Sequence, residues 1–92
     1  MPQLFKIHSY VVYFWSNEGA PLEPVHVHIA EGQAVPDGTK VWIMADGSCK
    51  VDGDSSIPAH KLNKILNVIK SNRVYIINQW KARFGSACLK EN

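Results

Sequence analysis

The sequence predicts an α+β fold: an antiparallel β-meander of about four strands followed by two amphipathic helices packed on one face of the sheet. Up to Asp52 the chain alternates β-branched and aromatic runs with Gly, Pro, Asn and Asp turns; beyond Ile57 its apolar residues recur every three to four positions. Strands first and helices after is the order of a domain that keeps the two apart. Size supplies the third observation, because 92 residues at 46% hydrophobic fill one core and not two, so residues 1–92 read as a single domain. A chain this short buries only about 60–65% of its unfolded surface, and a second copy or an obligate partner would add stability.

Phe5 to Trp15 is the first predicted strand, rich in β-branched and aromatic residues and apolar on both parities after Ser9, as in a strand covered on both faces. Ser16-Asn17-Glu18-Gly19 is turn chemistry, and Pro21 and Pro24 hold the next loop extended. In Val25-His26-Val27-His28-Ile29 the alternation is complete, sending the apolar residues to the core and both histidines to the other face. Gly32, Pro36 and Asp37-Gly38 mark a loop or hairpin turn before a third strand, Thr39 to Ala45. Asp46-Gly47 reads as a two-residue hairpin turn into Ser48 to Asp52, a register that puts Trp42 and Met44 on one face with Val51 and Cys49.

The helices are expected at about 57–71 and 73–84. Pro58 suits a first helical turn, and Leu62, Ile65, Leu66 and Ile69 form one apolar stripe with Lys61, Lys64 and Asn67 away from it. Ser71-Asn72 ends that helix and caps the next, whose stripe is Ile76, Ile77, Trp80 and Phe84 before Gly85 stops it.

No run approaches the roughly 18 apolar residues of a membrane span, and Met1 to His8 lacks the pattern of a signal peptide, so a cytoplasmic protein without membrane contact is expected. Cys49 and Cys88 match no metal or redox spacing, and a disulfide between them is not expected in that compartment. The net charge of +2 conceals an asymmetry: seven basic residues and no acidic one lie between Ile57 and Lys90. Lys61, Lys64, Arg73, Lys81 and Arg83 are therefore candidate contacts for an acidic protein or for nucleic acid, against the plainer reading of a solvated helical surface. The aromatic residues read first as core, since the motif of the common RNA-recognition fold is absent.

His26 and His28 are the one local constellation that carries chemistry. At i, i+2 on a strand their backbones stand about 6.5–7 Å apart on one face. That spacing suits a shared divalent transition metal, which would need a third ligand from His8, His60, Glu23, Glu31 or Asp37, none of them singled out by the sequence. Without a cofactor, one histidine could act as general base while a basic residue stabilises phosphate charge. The plainer alternative is two polar strand residues bonded to the Pro-rich loop. His60, in a first helical turn, reads as a surface residue.

Through Ser16-Asn17-Glu18-Gly19 and Glu23-Pro24-Val25-His26-Val27-His28-Ile29 the chain resembles a small bacterial family, the domain-of-unknown-function 4160 family, whose hallmark is a Pro-Pro-His-Phe/Ile-His-Val stretch after a first strand. The likeness continues through Lys40-Val41-Trp42-Ile43, the Leu62 to Ile69 helix, and Asn78-Gln79-Trp80 to Phe84-Gly85. It implies a stand-alone bacterial domain of strands and two helices, often encoded beside another small protein in an arrangement similar to toxin–antitoxin pairs. Pro24, His26, His28 and Trp80 carry over, and Val25 stands where the family has its second proline. The expectation is a binding protein that works with a small protein partner. A toxin-like ribonuclease or metal-dependent hydrolase using His26 and His28 is the alternative, so whether the chain is an enzyme stays open.

Overall fold

The computed structural model describes residues 3–16 and 23–91. Five strands form one antiparallel sheet in chain order: β1 (Gln3–Ile7), β2 (Tyr10–Tyr13), β3 (His26–Glu31), β4 (Thr39–Ile43) and β5 (Cys49–Val51). Two helices follow, α1 (Ala59–Ser71) and α2 (Arg73–Phe84). The α+β class and the meander are as expected. The strand count differs because the predicted first strand is a hairpin.

His8 and Ser9 make that turn, with Ile7 opposite Tyr10 and His8 at φ 55°. Histidine is one of the few residues besides glycine that enters the left-handed region at modest cost, which is why no Gly, Pro or Asn announces the turn. All four residues of β2 are buried, which explains the apolar character on both parities. Tyr10 and Val12 face the main core, while Val11 and Tyr13 pack with Ala30 on the other side. The β3–β4 connection folds over that side and clasps the Tyr13 hydroxyl, which donates to the Val35 carbonyl at 2.6 Å and accepts from the Val35 amide at 3.1 Å. Gly38 is required beneath the clasp, since a Cβ there would fall on the Tyr13 hydroxyl.

The β4–β5 register corrects the sequence expectation. Trp42 lies opposite Lys50, with Val41 opposite Val51 and Ile43 opposite Cys49. The turn holds three residues rather than two: Met44 N–H donates to the Ser48 carbonyl at 2.9 Å, and Gly47 adopts φ 95°. One extra turn residue with a left-handed glycine shifts the pairing by one position, and with a side-chain period of two that exchanges faces. Val41, Ile43, Cys49 and Val51 thus join the main core, and Trp42 goes to the opposite face.

The helices cover the face lined by Val12, Val27, Ile29 and Val41. Ile65 and Ile69 of α1, with Ile76 and Trp80 of α2, are buried there, each aliphatic side chain contributing roughly 1.5–3 kcal/mol by removal from water. Pro58 sits at the N-cap of α1. Asn72 closes α1 by donating from Nδ2 to the Val68 carbonyl at 2.8 Å, and its side chain makes no capping bond to α2. Gly85, at φ 85°, ends α2 as predicted. Beyond it the chain turns back along the sheet: Val25 N–H donates to the Cys88 carbonyl at 2.8 Å, Ala45 N–H to the Lys90 carbonyl at 2.9 Å, and Met44 bridges Lys90. No helix among the described residues is long and apolar enough to cross a membrane.

Candidate functional site

Strand alternation sends His26 and His28 away from the main core, as predicted, but not into solvent. His26 is 0% and His28 7% exposed. The His28 ring stacks on Tyr13, centroids 5.5 Å apart, Tyr13 being its cross-strand neighbour. The His26 ring meets His28 at 5.2 Å and 89°, its cross-strand neighbour Trp42 at 5.4 Å, and Trp80 of α2 at 5.2 Å. The two imidazoles are built into a cluster of rings.

His26 Nδ1 lies 3.0 Å from the Pro24 carbonyl oxygen. A carbonyl only accepts, so Nδ1 holds a proton there and the ring orientation is fixed. This is the bond to the Pro-rich loop that the sequence suggested. Trp80 links the cluster to the main core, meeting Phe14 at 5.1 Å and Phe84 at 4.5 Å. Its indole N–H is buried with no hydrogen-bond acceptor.

The basic side chains nearest the histidine cluster are not those the sequence singled out. Lys40, opposite His28, and Lys90, from the C-terminal segment, set their ammonium groups 4.2 and 4.7 Å from the Trp42 ring centroid. The half-buried indole thus holds two cations over its π surface, an arrangement whose electrostatic attraction strengthens as water is excluded. Glu23 pairs with Lys40 at 3.8 Å. Tyr13, Trp42, Lys40 and Lys90 are the residues sequence reasoning missed here. The true β4–β5 register would have flagged Trp42; nothing local marks Lys90.

The five basic candidates separate. Arg73 is half-buried and donates from a terminal guanidinium nitrogen to the Met44 carbonyl at 2.9 Å, which ties the start of α2 to the end of β4. Lys81 and Arg83 stand exposed on α2. Lys61 and Lys64 border a cleft with His8 and His60 at the other end of the sheet, and His60 is a surface residue as read. Glu31 and Asp37 line a neighbouring cleft. The prospective third metal ligands are thereby dispersed: among the described residues no group of three His, Cys, Asp or Glu side chains is placed to hold a metal ion. Both cysteines are free thiols, and burial raises the pKa of Cys49, partly offset by the nearby Lys70 ammonium.

A meander of five strands backed by two helices, with a His-x-His strand locked among aromatic rings, defines a small α+β domain class. The chain belongs to the family described as Domain of unknown function (DUF4160), which matches residues 9–81. That span runs from the β1–β2 turn through most of α2 and includes both histidines and Trp80. No curated protein and no solved structure matches the chain.

Proposed function

We propose that the protein is a small binding domain that works with an acidic protein partner, docked on the outer face of α2. The observation that carries this reading is the pair Val74 and Tyr75, large apolar side chains left 65% and 44% exposed next to each other. Helical spacing continues them into Asn78 and Lys81 on one row and Gln79 and Arg83 on the next, so the face combines an apolar patch with basic and amide groups. It contains no carboxylate, and opposite charge on a partner would steer its approach. An acidic companion protein in a toxin–antitoxin-like pair would have the chemistry required. The two free thiols fit a reducing compartment, the cytoplasm. Hydrolysis or RNA cleavage at His26 and His28 is the competing reading; the burial of both rings supports a packing role for them instead.

The test is co-expression with the reading frame adjoining the gene, followed by size-exclusion chromatography with light scattering. The expected result is a defined hetero-complex, lost in the Val74→Asp/Tyr75→Asp variant and weakened at least tenfold in Lys81→Glu/Arg83→Glu. A complex indifferent to these changes would move the interface elsewhere. A mass showing only copies of this chain would turn the face into a self-association surface. Turnover of RNA that disappears in a folded His28→Gln variant would promote the enzyme reading.

A further inference from the structure

The cleft at the opposite end of the sheet from the ring cluster has a different composition. It lies between the β1–β2 turn and the first turns of α1, with a volume of about 230 Å³. Ile7, Tyr10 and Ile65 form an apolar floor, while His8, His60, Lys61 and Lys64 stand around the rim. Tyr10 and Ile65 are buried and the four rim residues exposed. Among the described residues, no hydrogen bond or ion pair occupies those four side chains. His60, Lys61 and Lys64 fall within one helical turn, so the ammonium groups of the two lysines are neighbours that repel each other unless an anion lies between them. The first turn of α1 carries no acidic residue, and its open backbone end adds positive potential. Lys61 also borders the adjoining cleft, which Glu31 and Asp37 line, and Glu31 takes a hydrogen bond there from the Ser9 hydroxyl at 3.3 Å.

We infer that this cleft binds a phosphate monoester of a small molecule, with the phosphate among Lys61, Lys64, His8 and His60 and the organic body on Ile7, Tyr10 and Ile65. Two ammonium groups match a dianion better than a single carboxylate, and the imidazoles on the rim can supply further N–H donors. The apolar floor then favours an ester over the free inorganic ion. His8 has its place here because the left-handed turn lifts its side chain to the rim. The site is independent of the α2 face, and its failure would leave that reading intact.

The test is a titration of the isotope-labelled protein followed by amide chemical shifts, with phenyl phosphate, inorganic phosphate and a ten-residue oligouridylate as probes. Phenyl phosphate should give saturable shifts at His8, Ser9, Lys61, Lys64 and Ile65, at least fivefold tighter than inorganic phosphate. Lys61→Gln/Lys64→Gln should weaken it at least tenfold, and Lys81→Gln/Arg83→Gln should not change it. Shifts that do not saturate, or that respond equally to the α2 variant, would overturn the site as diffuse surface charge. Tighter binding of the oligouridylate at the same amides would overturn the small-molecule assignment and make the cleft a contact for an RNA backbone.

Discussion

Two pairs of histidines sit at opposite ends of this small sheet in contrasting surroundings. His26 and His28 are closed in by Tyr13, Trp42 and Trp80, and His26 spends its Nδ1 proton on a main-chain carbonyl. His8 and His60 stand on the surface beside two lysines and over an apolar floor. The first pair alternates cleanly on a strand and draws attention in the sequence; the second is scattered over fifty residues and does not. The contrast teaches that a regular motif reports the regularity of its backbone. Whether the side chains meet ligands depends on what the rest of the chain lays over them.

Trp80 joins the buried histidine cluster to the main core, and its loss should have the largest effect. Trp80→Ala should cost about 3–5 kcal/mol, seen as a large loss in urea midpoint, because it empties the space between Phe14, Phe84 and His26. Trp80→Phe should cost clearly less than Trp80→Ala, since the indole N–H it removes has no acceptor to lose. Next comes the clasp on the histidine side: Gly38→Ala forces a methyl against the Tyr13 hydroxyl and the Ile29 carbonyl, and about 1–3 kcal/mol of destabilisation is expected by thermal unfolding.

At the histidines themselves the two ends should diverge. His26→Ala leaves a cavity and strips the Pro24 carbonyl of its donor, for about 2–3 kcal/mol by chemical denaturation. His8→Gly removes a side chain from a left-handed turn and should be neutral or stabilising by less than about 1 kcal/mol. Equal losses at both would erase the distinction between a packing pair and a surface pair.

The smallest effect concerns the thiols. Burial raises the Cys49 pKa above that of an ordinary thiol, whereas Cys88 is exposed. Cys49 should therefore be alkylated more slowly than Cys88 at neutral pH, as read by peptide mass mapping. The sign for stability follows from proton binding: the native thiol holds its proton more tightly than the unfolded one. Its contribution is complete below the unfolded pKa and declines as pH rises from there through the higher native value.

The helices were legible almost to the residue, because Leu62, Ile65, Ile69, Ile76 and Trp80 keep a strict helical spacing and Gly85 supplies the stop. The sheet was legible as a meander but not in detail. A histidine makes the first hairpin turn where a glycine or asparagine would have been read, and a three-residue turn at Ala45-Asp46-Gly47 exchanged the faces of Trp42 and Val41. The prediction that His26 and His28 share a face was right; their burial was hidden, because Tyr13, Trp42 and Trp80 lie far from them in sequence. The clustering of Lys61 and Lys64 with His8 depends on α1 crossing the end of β1 and β2, which no local pattern encodes.

The C-terminal segment gives the chain a folding order. Every strand pairs with its neighbour in sequence, so the sheet can zip from short loops with little chain entropy to overcome at each step. The contacts of Cys88 with Val25 and of Lys90 with Ala45 are the opposite kind, closing loops of dozens of residues around a sheet that must already exist. The segment should therefore dock late, as a latch across the ends of β3 and β4, and be the first to release on unfolding. Substitutions there should speed unfolding while leaving the refolding rate nearly unchanged.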